Sequence, residues 1–433
     1  MRFPRRLVSF TLIAVAAGSV LHVAGATAAE THWLALGAQQ PGESDRPTWS
    51  LAVAPGQPAV ILAATQGRGV LRSADSGATW TPVIPQAEAA WVVRFDPQRA
   101  GLAYAGTQTA GLFKSVDEGR TWTAASQGLP SDVRSIEMSA GTILAGTAMG
   151  IYYSTDSAMS WHALGLSDLD IAAVAMLPRT GGFTIFAGAD NGAPGSDSGT
   201  SGAGYLLKSD DLTGSWRVVK GNFPGDATVA SIAVAAAPSG GTEPPVIVGT
   251  SQGLFRSDDR GTSWSPLNGL PTADFNVAVF NPANPDQIYV GSDGDQGNGG
   301  VFRSLDRGSS WSTFGTGLPA RPRITALVLR PLNPPEIVAA SWNPTSGQAG
   351  AYRIADPAAA VVGVAPSVSG SAAARPTPAP PVTAAVPVVT RPHVNQPASA
   401  TYAVALAVLM ALVLFALVRR WRMRREDRRT YSP

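Results

Sequence analysis

The chain contains no cysteine among its 433 residues, which excludes disulfides, haem attachment of the CxxCH type and thiolate metal sites together. Histidine is almost as scarce. His22, His32, His162 and His393 are scattered along the sequence, so no histidine-based metal site or catalytic triad can be assembled from them. Charge is also sparse and nearly balanced, with 32 Lys and Arg against 30 Asp and Glu. Its placement says more than its sum. Arg2, Arg5 and Arg6 lie at the start, and seven arginines lie in 419–433 beside Glu426 and Asp427; the rest carries 22 bases and 28 acids, a net charge of −6. A mildly acidic body without a Lys/Arg stripe has nothing to neutralise phosphates, so no nucleic-acid partner is expected.

What the sequence has is a repeat. Ser73-Ala-Asp75-Ser-Gly77-Ala-Thr79-Trp80 recurs from Ser115, Ser154, Ser209, Ser257 and Ser304, at intervals of 42, 39, 55, 48 and 47 residues. That period is the length of a four-stranded propeller blade. Each copy reads as the hairpin between the third and fourth strands: an alternating strand such as Gly253-Leu-Phe-Arg-Ser257, then a turn in which Asp accepts from backbone amides and Gly takes positive φ. The structural pairs are Asp75 and Trp80, Asp117 and Trp122, Asp156 and Trp161, Asp211 and Trp216, Asp259 and Trp264, and Asp306 and Trp311. The indoles are expected to fill the gaps between neighbouring sheets.

The octapeptide Ser-x-Asp-x-Gly-x-Ser/Thr-Trp resembles the Asp-box, or BNR repeat, of sialidases, sortilin-type receptors, xyloglucan-cleaving glycosidases and photosystem II assembly factors. Two copies depart from it: Ala158 stands in place of Gly in the third, and in the fourth Thr213 occupies the Gly position with Gly214 one place late. Those turns are expected to be distorted or bulged. A seventh blade is legible in Ile324-Thr-Ala-Leu-Val-Leu, Glu336-Ile-Val-Ala-Ala and Gly350-Ala-Tyr-Arg-Ile354, but without an octapeptide or a fourth strand. His32-Trp33-Leu-Ala-Leu36 looks like the segment that follows each octapeptide. The expected fold is therefore all-β, a single seven-bladed propeller whose N-terminal strand closes the last blade.

The flanks predict topology. Arg2, Arg5 and Arg6, an apolar run from Leu7 and the small residues Ala26-Thr27-Ala28 read as a signal peptide over 1–28. The propeller spans 29–356, a Pro/Ala-rich stalk 357–399, an apolar transmembrane helix 400–418 and a basic cytoplasmic tail 419–433. This is the layout of a single-pass type I protein of the cell membrane with an extracytoplasmic domain, in a chain of bacterial character.

Long loops between second and third strands lie on the face opposite the octapeptide turns, and rigid scaffolds usually carry recognition on such loops. These loops supply the candidate ligand-binding residues Asp190, Asn191, Asp197, Asp293, Asp295, Asn298 and Trp342. Asp293-Gly-Asp295-Gln-Gly-Asn298-Gly has the oxygen density of a calcium loop but lacks the closing bidentate Glu. No metal, cofactor or catalytic set is expected. Sialidases need a converging arginine cluster, whereas the bases here, Arg72, Lys114, Lys208, Arg256, Arg303 and Arg353, recur at one blade position. A residue repeated in register is a blade feature. The expected function is a non-enzymatic scaffold that binds an extracytoplasmic or membrane protein, similar in kind to the single-propeller photosystem II assembly factors. The alternative is a surface protein that binds or hydrolyses glycans, with carboxylates across a groove and Trp342 stacked on a sugar.

Overall fold

The computed structural model describes residues 32–37, 46–84, 89–190, 204–225, 227–236, 243–294, 299–343 and 345–360. They form seven four-stranded antiparallel sheets. Blades 1 to 6 occupy 48–82, 90–124, 133–165, 170–218, 229–266 and 275–313, each with its strands in sequence order. Blade 7 takes three strands from 323–355 and its fourth from Leu34–Ala35.

The second strands are buried through their central residues, and Ala103–Thr107 and Val246–Thr250 along their whole length, because each sheet is covered on both faces by its neighbours. Where the next blade's inner strand crosses, only the smallest residue fits. A Cβ on Gly106 would lie 2.5 Å from the Val133 carbonyl oxygen, and one on Gly249 2.4 Å from that of Phe275. The following hydroxyl then caps the loop to the third strand: Thr107 Oγ1 donates to the Gly111 carbonyl and Thr250 Oγ1 to that of Gly253.

The octapeptide turn is a closed set of hydrogen bonds. Ser257 Oγ donates to Asp259 Oδ1 at 2.8 Å and accepts from Gly261 N at 2.7 Å, while the Asp259 carboxylate takes the amide and hydroxyl of Ser263 at 2.9 and 2.6 Å. In the sixth turn the hydroxyl and amide of Ser310 hold Asp306 down to about 2, ionised at ordinary pH. The third turn corrects the expectation of distortion. Ala158 adopts φ 66° and its amide still reaches Ser154 Oγ at 2.9 Å, a left-handed conformation that costs a non-glycine residue about 1–2 kcal/mol. The fourth turn is altered as expected: Ser209 Oγ donates to the Asp211 carbonyl, and Thr213 closes on Asp211 Oδ1.

These turns join the blades. The residue before the turn's glycine has positive φ, 60° at Glu118 and 58° at Arg260, and its carbonyl accepts from the basic residue of the preceding blade. Arg72 Nε reaches Glu118 O at 2.8 Å, Lys114 Nζ reaches Ser157 O at 2.9 Å, Lys208 Nζ reaches Arg260 O at 2.5 Å and Arg256 Nη1 reaches Arg307 O at 2.6 Å. Arg72, Lys114, Lys208 and Arg256 are thus clamps between blades, whereas Arg353 contacts Glu336 of its own blade and Arg330 reaches across to Pro58 O and Ser76 Oγ of blade 1. Blade 3 has Tyr153 at this position, next to the blade whose turn is altered. Blade 7 has no octapeptide, and there the fully buried Asp356 substitutes for the carbonyl, accepting from Arg303 at 2.6 Å and from the Tyr289 hydroxyl at 2.8 Å. Indoles fill the gaps: Trp264 of blade 5 packs against Phe186 at 5.9 Å and Phe223 at 5.5 Å.

The N-terminal segment closes the ring. Leu34 pairs with Arg353 and Ala35 with Tyr352. Trp33, 2% exposed, donates its indole N–H to the Phe314 carbonyl at 2.8 Å, as Trp161 does to Ala125 O and Trp216 to Leu164 O in the preceding blades. Trp33 therefore serves as the seventh blade's octapeptide tryptophan. No helix of the described residues is long and apolar enough to cross a membrane, and 400–418 lies outside them.

Replacing Trp33 by Ala removes this seal and is expected to cost about 3–5 kcal/mol of stability. Asp356→Ala, which strands Arg303 and Tyr289 in the junction of blades 6 and 7, should cost a similar amount, about 3–5 kcal/mol. Urea titration of both variants against the wild type checks this. A loss near that of an exposed substitution would show that the ring is closed elsewhere.

Candidate functional site: the mouth of the central channel

All seven inner strands break register at the same place. Pairing with the second strand skips Trp49, Trp91, Arg134, Ala172, Ala230, Asn276 and Thr325 in blades 1 to 7. Each is the extra residue of a bulge, which bends the strand and re-aims a side chain. All seven line a central cavity of about 200 Å³. They stand near the start of the inner strands and so lie at the channel mouth on the face of the loops between second and third strands.

The ring is strongly uneven. Blades 4 and 5 contribute only Ala172 and Ala230, while blades 1 to 3 contribute two indoles and a guanidinium. Contacts run along this side without interruption. Arg323 pairs with Asp293 at 2.6 Å and lies 5.4 Å over the Trp342 ring. Trp342 meets Trp49 edge-on at 6.4 Å, and Trp49 meets Trp91 at 5.8 Å. Trp91 donates its indole N–H to Asp132 Oδ1 at 2.8 Å, and Arg134 bridges Asp132, at 3.0 Å, and Asp170. The arc joins blades 6, 7, 1, 2, 3 and 4 and presents three indoles whose polar neighbours hold one another in place. The N–H groups of Trp49 and Trp342 are buried without a hydrogen-bond partner.

Two of the expected residues, Asp293 and Trp342, belong to this arc and are brought together by Arg323. Asp190 ends the second strand of blade 4, paired in register with Asp170. Asn191, Asp197, Asp295 and Asn298 lie outside the described residues, as does most of the blade 5 loop around 237–242. Sequence reasoning missed Trp49, Trp91, Asp132, Arg134, Asp170 and Arg323. For Trp49, Trp91 and Arg134 a signal was available in a different form: with the repeats superposed, one inner-strand position carries Trp, Trp, Arg, Ala, Ala, Asn and Thr in blades 1 to 7. Among the described residues no group of three or more His, Cys, Asp or Glu is placed to hold a metal ion.

Farther along the inner strands, Arg94 and Glu137 stand three residues beyond the bulged Trp91 and Arg134. Burial raises the Glu137 carboxyl to about 7, and the charge of Arg94 offsets only part of that cost.

No protein-family model matches this chain, and no curated protein does. Solved structures do match. YCF48 from Cyanidioschyzon merolae superposes with a TM-score of 0.53 at 13% identity over 76% of this chain and 99% of that one, and YCF48 bound to D1 peptide gives 0.53 at 14% over 75% and 96%. The extracellular domain of BT4673 from B. thetaiotaomicron gives 0.54 at 12% over 75% of this chain and 39% of that one. The GH74 enzyme of Niastella koreensis gives 0.49 at 19%; the match covers 71% of this chain and about half, 51%, of the enzyme's length.

Glu137 generates a pH dependence. The folded carboxyl keeps its proton to about 7, whereas its ordinary value is 4.5, so between those values the folded state binds the extra proton. Stability from this group is complete below about 4.5 and is lost as pH rises through about 7. Glu137→Gln should flatten the fall in melting temperature between those two pH values; an unchanged slope would show that Glu137 titrates normally. At 12–14% identity, what YCF48 and the BT4673 domain have in common with this chain is the fold.

Proposed function

We propose that this chain is a membrane-anchored, extracytoplasmic Asp-box propeller that binds a protein partner without catalysing a reaction, using the face that carries the channel mouth. In this reading 1–28 is a signal peptide, 357–399 a stalk and 400–418 the membrane span, with the basic tail in the cytoplasm. The observation that carries the proposal is the arc of Trp342, Trp49 and Trp91 on a rigid rim. Clustered indoles supply large contact area at low entropic cost and are typical of binding hot spots.

The carboxylates of the arc favour binding over chemistry. Glycoside hydrolysis asks for an acid and a second carboxylate about 5–9.5 Å apart across a bond, whereas Asp132 and Asp170 share Arg134 and Asp293 is held by Arg323. The fold likeness to YCF48, solved with a bound D1 peptide, is support by analogy. A glycan-binding reading retains one specific observation in its favour, since the same three rings are suited to stacking on sugars.

The test is affinity capture with tagged full-length protein from mildly crosslinked native membranes, beside the double variant Trp49→Ala, Trp91→Ala. A defined set of proteins captured by the wild type and lost from the variant is the expected result. The same set captured by both would remove the mouth from the proposal. Retention of envelope polysaccharide with no enriched protein would favour glycan binding.

A further inference from the structure

The charged residues that line the central cavity are basic, and Glu137, three residues beyond Arg134 on the neighbouring inner strand, feels the charge of Arg94. Among the described residues that line it, Arg94 and Arg134 are the only charged ones. Arg134 is already shared between Asp132 and Asp170. Arg94 is exposed to the cavity and makes no hydrogen bond or ion pair with any described residue. The hydroxyls of Ser135 and Ser231 point away from the cavity, against Gly146 and Gly249 of the second strands. Bulges place Trp49 and Trp91 at its entrance, and Arg94 lies three residues farther along the strand from Trp91, about 10 Å at 3.3 Å per residue.

We propose that this cavity is an anion site that receives an acidic side chain from an extended segment of the partner protein, with the carboxylate on Arg94 and the flanking residues against Trp49 and Trp91. The inference rests on the preceding reading of the channel mouth as a protein-binding face, and it adds the chemistry of what is bound. Charge complementarity selects the occupant: a guanidinium in a narrow channel gains most from a carboxylate, which accepts two parallel N–H bonds. Size selects its shape. About 200 Å³ admits one or two side chains of a strand, not a folded surface.

Binding of synthetic probes to the full-length protein tests this, read by tryptophan emission and by calorimetry. The probes are a decamer of glutamate, a decamer of glutamine and an oligomer of galacturonate. The wild type should bind the glutamate decamer at least about tenfold more tightly than the glutamine decamer at low salt, with the preference shrinking as salt rises. Arg94→Gln should abolish the preference, and Arg94→Lys should keep most of it. Should Arg94→Gln fail to fold, the Lys variant and the salt series still decide. Equal affinity for the two decamers, an Arg94→Gln protein with the preference intact, or binding of galacturonate without the glutamate decamer would each overturn the proposal. Membrane capture separates the two levels of inference: if Arg94→Gln captures the wild-type partners and the double tryptophan variant does not, the binding face stands and the acidic segment falls.

Discussion

The structure depends on one hydrogen bond repeated at four of the seven blade junctions, from a basic side chain of one blade to a backbone carbonyl of the next. That carbonyl is available because the octapeptide turn forces its residue to positive φ, and the turn holds this conformation because a serine hydroxyl and an aspartate carboxylate satisfy its amides. Sequence, turn geometry and blade spacing are thereby linked in one step. Where the link changes, so does the chemistry. At the junction of blades 3 and 4 a tyrosine stands in place of the base, at the junction of blades 6 and 7 a buried carboxylate replaces the carbonyl, and at the junction of blades 7 and 1 Arg330 of the inner strand makes the crossing bonds in place of Arg353.

A ring held in this way has little freedom at its centre, and the functional consequence lies there. The inner strands all bulge at the same level, so seven residues are delivered to one circle whatever their identity. The scaffold sets position and the sequence sets character. Two alanines on one side and two indoles with a guanidinium on the other give the circle a direction, and the third indole, Trp342, extends that side across the junction of blades 7 and 1.

The architecture was legible because it repeats. The octapeptides give the blade period, and His32-Trp33-Leu-Ala-Leu36 can be recognised as a fourth strand by its likeness to the segments that follow them. The third turn was misjudged because a left-handed alanine is costly in isolation; here the intact Ser154 and Asp156 hydrogen bonds hold it. The mouth was only half legible. Trp342 and Asp293 draw notice because the sequence reads as long loops there, although Trp342 lies in the strand Glu336–Asn343, but Trp49, Trp91 and Arg134 sit within ordinary-looking strands. Their exposure to the channel comes from a register shift against a partner strand, and register is a tertiary fact that local pattern does not encode.

The central claim is that the channel mouth, and not the octapeptide face, meets the partner. Site-specific photo-crosslinking in native membranes tests it most directly, with the reactive residue placed at Trp342 on the mouth or at Met159, which is 69% exposed on the octapeptide face. The account predicts a discrete crosslinked protein from position 342 and none from position 159. The same adduct from 159, with none from 342, would contradict it.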